Sequence, residues 1–320
     1  MTRTRTITTQ RISRETSTAT DGVLATRERI ASRLVGRERE LELALAAVAA
    51  GRDLVLEGPP GTSKTTMLKA ITDEWGIPLV FVEGNADLTP AKLIGHHNPS
   101  RVLREDYSAD NFVAGPLVEA MSTGGFLYME EFNRAPEDTL NALLTAMADR
   151  TIQVPRVGRI AAEPSFRVVA SMNPYDNVGT TRLSMSVSDR LNRIVVDYQD
   201  ARAEEGILAL RTELTGELAE RIIADAVAVT RATRTHPDVR QGSSVRGAID
   251  CALVDHELTS LRELTGPADE RYPETFYDAM TVALSGRIRV DEAAETTPER
   301  VLREIWENRF ILDPARAEPG

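Results

Sequence analysis

The chain has 320 residues, 42% of them hydrophobic, and a formal net charge of −11, which fits a globular protein of two domains or of one large domain with a smaller appendage. The acidity argues against electrostatic capture of nucleic acid or an anionic membrane surface, and no apolar run approaches the roughly 18 residues of a membrane span. Cys251 is the single cysteine, which excludes an intrachain disulfide and a cysteine metal cluster.

Residues 1–27 are rich in Thr, Arg and Ser without helical periodicity and read as a disordered tail with no apolar secretory core, so a cytoplasmic location is expected. An α/β domain is expected over 28–200. It opens with a helix whose apolar positions Leu41, Leu45 and Val48 recur at helical spacing and which Gly51 closes. Short β-branched or apolar runs near Asp53 to Glu57, Leu79 to Glu83, Phe126 to Glu130, Arg167 to Met172 and Arg193 to Asp197 alternate with helical patterns. That alternation predicts a five-stranded parallel sheet covered on both faces.

The stretch from Gly84 to Gly125 is too long for one helix and two ordinary loops, so an insert is expected at about 85–124. Its Gly and Pro residues suggest two short helical pieces and an exposed loop around Gly95-His96-His97-Asn98-Pro99. Beyond Tyr198 helical patterns dominate, with stripes at Leu218, Ile222, Ile223, Ala226 and Val229, and again at Val301, Leu302, Ile305 and Trp306. A smaller all-helical domain is expected over 201–320.

The segment GPPGTSKT follows Leu54-Val55-Leu56 directly and precedes a helical run. In a P-loop, backbone N–H groups of a tight glycine-rich turn surround phosphate oxygens while a lysine and a hydroxyl complete the charge balance. Gly58, Pro59, Pro60, Gly61, Thr62, Ser63, Lys64, Thr65 and Thr66 are therefore expected to bind nucleotide, with Thr65 on Mg2+. Ser63 stands where the strict pattern has glycine. Lysine occurs only at Lys64, Lys69 and Lys92, so a chain that otherwise uses Arg places a compact point charge in this loop.

The apolar run ending in Glu130-Glu131 presents two acids at the C-terminal edge of a strand, beside the P-loop in an open α/β sheet. The first is expected to order Mg2+ and the second to polarise the attacking water. Glu130 is one methylene longer than the usual Asp. Asn173, in Ser171-Met172-Asn173-Pro174, is placed either to hold the lytic water or γ-phosphate or simply to make an Asn-Pro turn. Arg182, Arg190 and Arg193 are candidates to spread developing charge on the γ-phosphate, and Arg246 opens a helix of the second domain.

This order of elements resembles the MoxR-type AAA+ ATPases. The segments that carry the resemblance are VGRERE at 35–40, LEGPPGTSKTT at 56–66, FVAGPLVEAM at 112–121, MEEFNRAPEDTLNALLTAMADR at 129–150, ASMNP at 170–174 and SDRL at 188–191. It implies Walker A roles for Lys64 and Thr65, Walker B roles for Glu130 and Glu131, sensor 1 at Asn173, an arginine finger at Arg190 and sensor 2 at Arg246. It also implies a helix-2 insert, a pre-sensor hairpin over Thr151 to Pro164, ATP and Mg2+ as ligands, and a homo-oligomeric ring, a hexamer. The segment EGNADLTPAKLIGHHNP is most similar to ATPases of carbon monoxide dehydrogenase maturation, the CoxD-like subgroup, whose relatives act with a von Willebrand A domain protein on a client enzyme. Two alternatives remain: a nucleic-acid motor of the AAA+ class, and a nucleotide-dependent binding module with negligible turnover. His96 and His97, without a third ligand nearby, read as a substrate-facing loop rather than a metal site.

Overall fold

The computed structural model describes residues 23–31, 33–101, 109–174 and 184–312. Contacts divide the chain into two compact units with the boundary between Asp197 and Tyr198, Pro60–Thr62 being grouped with the second.

The first unit contains strands β1 (Leu54–Glu57), β2 (Leu79–Glu83), β3 (Gly95–His97), β4 (Phe112–Ala114), β5 (Phe126–Glu130), β6 (Thr151–Val154), β7 (Gly158–Ala161), β8 (Arg167–Met172) and β9 (Asn192–Val195). Five of them form one parallel sheet in the order β2-β5-β8-β1-β9. Successive side chains along a strand point to opposite faces, and a sheet covered on both sides wants both sets apolar. The sequence obeys this. Leu54, Leu56, Phe126, Tyr128, Val169 and Ile194 pack in one core with helices α2 (Glu38–Ala49) and α3 (Lys64–Trp75). Val55, Leu127, Met129, Val168 and Ala170 pack in another with α4 (Pro90–Ile94), α5 (Pro116–Thr123) and α6 (Glu137–Asp149).

Two expectations need correction here. Residues 23–31 are helical and precede α2 as α1, so 23–27 do not belong to the tail read over 1–27, the rest of which lies outside the described residues. Tertiary contacts supply what local propensity lacks: Ile30 is fully buried, and Thr26 Oγ1 accepts a hydrogen bond of 3.0 Å from Trp75 Nε1. The expected loop at 95–99 begins instead as a strand, β3, paired antiparallel with β4. Phe112 stacks edge-on against His97 at 5.6 Å, and Gly95, at φ 128°, adopts a backbone conformation that L side chains rarely take. The expected pre-sensor hairpin corresponds to β6 and β7, which pair antiparallel. The short helix α7 (Met185–Ser188) precedes β9. Arg182 lies outside the described residues.

The second unit is built on α8 (Ala201–Thr212), α9 (Glu217–Thr235), α10 (Val245–Leu261), α11 (Tyr272–Leu284) and α12 (Pro298–Phe310). Asp200 and Thr297 cap α8 and α12 by accepting from Ala203 N and Arg300 N, and Pro298 occupies a first-turn position where its missing N–H costs nothing. The core joins Ile222, Ala226, Ala248, Phe276, Leu302 and Trp306. Cys251 is buried there and its thiol pKa is raised by desolvation, as an inert cysteine requires. The unit is not wholly helical, because β10 (Val239–Gln241) and β11 (Arg289–Val290) form an antiparallel ribbon. Strands of three and two residues are too short to show an alternating pattern in sequence.

Candidate active site

The P-loop leaves the C-terminal end of β1 and enters α3. Gly58 has no room for a side chain, since a Cβ there would lie 2.0 Å from Val196 O, and its N–H donates to Met172 O at 3.0 Å. Ser63 adopts φ 65° and ψ 18°, the left-handed region in which glycine is strain-free. The position where the strict motif has glycine is thus one whose backbone asks for it, and Ser63 carries about 1–2 kcal/mol of local cost. Lys64 Nζ donates to the carbonyls of Gly58 at 3.0 Å and Pro59 at 2.7 Å, which holds the ammonium against the loop.

Parallel pairing brings the ends of the neighbouring strands to the same edge. Glu57 is opposite Met172, and Glu83 is opposite Glu130. Thr65 Oγ1 donates to Glu130 Oε1 at 3.2 Å and lies 3.0 Å from Tyr128 Oη, which donates to Ser171 Oγ at 3.0 Å. The longer acid therefore reaches the hydroxyl directly. Thr65 and Glu130 together offer hard oxygen donors, the chemistry Mg2+ prefers, so the residues fit that ion. Tyr128 was not singled out from sequence. Burial raises its pKa, with hydrogen bonds to Ser171 and Thr65 opposing the rise and the nearby Glu130 carboxylate adding to it. The available signal was a phenol in the middle of an otherwise apolar buried strand, which must find a partner.

Glu131 sits past the strand end at φ 52°, and Arg134 Nε pairs with its Oε2 at 3.2 Å. Asn133 Nδ2 donates to Asn173 O at 3.3 Å, joining the acidic turn to the segment after β8. The structure thus gathers Lys64, Thr65, Glu130, Glu131 and Asn173 at one edge of the sheet.

Arg190 is elsewhere. It precedes β9, whose first residue Asn192 is opposite Leu54 at the start of β1, so Arg190 lies at the edge of the sheet opposite the P-loop. It is exposed, donates to Ser186 O at 2.8 Å, and lines a polar cleft of about 570 Å3 with Arg52, Asp53, Arg150 and Asp189. Asp53 is buried there, and desolvation raises its pKa against the opposing hydrogen bonds from Val168 N and Arg150. Arg193 is committed to a two-pronged pair with Glu57, which raises the Arg193 pKa. Arg246 belongs to the second unit, in the first turn of α10, exposed, with its N–H on the Ser244 cap at 3.3 Å. His97 Nε2 lies 3.3 Å from Pro155 O, and among the described residues no group of three or more His, Cys, Asp or Glu could hold a metal.

Residues 53–191 match the AAA domain of the dynein-related subfamily. Over those residues the chain is similar to the AAA ATPases. Among curated relatives, the gas vesicle ATPase GvpN of Ancylobacter aquaticus is 28% identical over 269 residues, spanning 78% of this chain and 72% of that protein. Gas vesicle ATPase GvpN2 of Halobacterium salinarum is 26% identical over 255 residues, 74% and 69% of the two chains. An uncharacterized Bacillus subtilis protein, YojN, is 28% identical over 215 residues, covering 66% and 70%. A mutant of Thermotoga maritima RuvB superposes with a TM-score of 0.51 at 17% identity, covering 78% of this chain and 71% of its own, a likeness of fold alone. The MoxR-type resemblance and the P-loop fold with a helical C-terminal region agree with these findings.

Proposed function

We propose that this AAA ATPase hydrolyses ATP with Mg2+ at the edge defined by Lys64, Thr65, Glu130, Glu131 and Asn173, and that it does so as a homo-oligomeric ring. The observation that carries the reading is the Thr65–Glu130 contact beside Glu131, with Arg190 at the opposite sheet edge of the same chain. The loop from Gly58 to Thr66 binds the triphosphate, and Lys64 exchanges its carbonyl partners for phosphate oxygens. Thr65 and Glu130 would hold Mg2+, which when bound neutralises charge on the β- and γ-phosphates. Glu131 accepts the proton of the attacking water, and the Asn173 side chain orients that water. Arg190, far from its own P-loop, serves the nucleotide of a neighbouring copy, and Arg246 reports nucleotide state to the second unit. A hexamer is the ring we propose.

The work done is remodelling of a protein client in maturation or metal-cofactor assembly, in the cytoplasm, with a von Willebrand A domain partner. The segment EGNADLTPAKLIGHHNP supports carbon monoxide dehydrogenase as that client. The relatives named gas vesicle ATPases support ATP hydrolysis as the source of that work. The net charge of −11 counts against a nucleic-acid motor, and among the described residues no helix is long and apolar enough to cross a membrane.

Steady-state phosphate release by the wild-type chain and by Glu131→Gln tests the core of the reading: the variant is expected to fall by at least about a hundredfold, the loss of a general base. Equal rates would sink it. Tagged Glu131→Gln, held in the ATP state, is expected to retain the client, and recovery of general chaperones alone would count against dedicated maturation.

A further inference from the structure

The second unit contains a buried polar clamp that the proposed catalytic scheme does not use. Arg234, at the C-terminal end of α9, donates from Nη1 to Glu204 Oε1 at 2.6 Å and from Nε to Ser243 O at 2.7 Å. Its guanidinium lies 3.8 Å above the ring of Tyr198, the first residue of this unit after the chain boundary. Glu204 is fully buried, and the Arg234 side chain is only 10% exposed. Burying such a pair is expensive, and a well-packed apolar pair would serve stability as well or better, so stability alone does not account for it.

The clamp acts on one turn. Ser243 is held from both sides, its O by Arg234 and its N–H by Thr233 Oγ1 at 2.9 Å. Gly242 packs so closely that a Cβ would lie 2.6 Å from Arg234 Cα. The next residue, Ser244, caps α10 by accepting from the N–H of Arg246. The place where Arg246 leaves the backbone is therefore set by α9 through two hydrogen bonds to Ser243. A second arginine, Arg231, donates to Gln199 O at 2.8 Å, tying the same helix to the segment just after the boundary.

We infer that Arg234 is a positioning residue for Arg246, fixing the turn from which α10 starts while stacked on Tyr198. This rests on the reading of Arg246 as the nucleotide-reporting arginine. A lysine cannot replace Arg234, because only the planar fork reaches Glu204, Ser243 O and the ring face together.

The test compares full-length wild type, Arg234→Lys, which keeps the charge, and Glu204→Gln, which keeps the shape. Amide exchange over residues 242–248 is expected to quicken about tenfold in both variants, the loss of roughly one hydrogen bond, while α11 and α12 stay protected. ATP turnover is expected to lose about three- to tenfold in kcat with KM less affected, and Arg246→Ala combined with Arg234→Lys is expected to cost no more than Arg246→Ala alone. Unchanged exchange at the turn, unchanged kcat despite faster exchange, or an additive double variant overturns the inference. Loss of protection throughout the unit, or failure of both variants to fold, also overturns it by reducing the clamp to packing. A wild type without phosphate release defeats the ATPase reading instead, and the exchange data still decide whether Arg234 sets this turn.

Discussion

The hydroxyl of Thr65 and the carboxylate of Glu130 are joined by a hydrogen bond of 3.2 Å across two different elements, the first turn of α3 and the end of β5. The contact exists because the chain has Glu where a shorter acid is usual, so the extra methylene closes the gap. Two hard oxygens brought together in this way make the proposed Mg2+ contact depend on both length and charge. Glu130→Gln is expected to raise the half-saturating Mg2+ concentration of turnover by about tenfold or more, and Glu130→Asp by less, since it keeps the charge and loses only the reach. Magnesium titrations of phosphate release check the order of the three proteins. An unshifted midpoint in Glu130→Gln removes this residue from the metal site.

Ser63→Gly is expected to stabilise the chain by about 0.5–1 kcal/mol, because glycine removes the left-handed strain at φ 65° and gives back part of that gain as greater freedom when unfolded. Nothing is lost in capping, since the Ser63 side chain makes no hydrogen bond to the start of α3. Denaturant titration measures the change. Gly58→Ala is the opposite case: a methyl 2.0 Å from Val196 O must displace the loop, so nucleotide binding is expected to vanish.

Much of the first unit was legible in its sequence because its physics is local. The five sheet strands are continuous apolar runs, since both faces of a parallel sheet are covered, and the turn chemistry after β1 marks the phosphate loop. The insert was less legible. Strand β3 holds three residues, His97 meets Phe112 and Pro155 from distant segments, and no periodicity can develop over that length. Tyr128 was hidden for a different reason: its ring belongs to the core, and only the structure shows its hydroxyl bridging Thr65 and Ser171. Arg190 was singled out by motif, but its position at the far edge of the sheet follows from the register of β9 on β1, which sequence does not display.

Stability should fall with rising pH through the acidic to neutral range because of Asp255. This carboxyl is fully buried, and neither oxygen has a hydrogen-bond partner. Desolvation first, and the neighbouring Asp225 second, push its pKa up to about 7, with Arg262 and Arg221 opposing. A carboxyl whose folded pKa is raised binds more protons when folded, so its stabilising effect is complete below the ordinary value near 3.8 and is lost as pH climbs towards 7. A span of that width corresponds to a few kcal/mol, roughly, at 1.36 kcal/mol per unit. Unfolding midpoints for wild type are expected to drop between about pH 4 and 7, and Asp255→Asn is expected to flatten that slope and be the more stable protein at pH 8. Parallel slopes for the two proteins would show that Asp255 is not the titrating group.

The last prediction follows from the two edges of the sheet. If Arg190 completes a site on another copy, then Arg190→Ala and Glu131→Gln damage opposite sides of the same interface, and each alone leaves every interface inactive. Mixing the two proteins changes this. Wherever a copy carrying Arg190→Ala presents its intact Glu131 to a neighbour with an intact Arg190, one complete site forms, and random head-to-tail assembly of equal amounts yields about one quarter of all interfaces in that state. The expected result is recovery of turnover from two nearly inactive preparations, rising as copies exchange and reaching at most about a quarter of the wild-type rate. Adding further Arg190→Ala to a fixed amount of Glu131→Gln should raise total activity and then level off. A mixture no more active than its parts would place Arg190 outside the reacting site, and its exposed position beside Asp189 would then be a surface feature only.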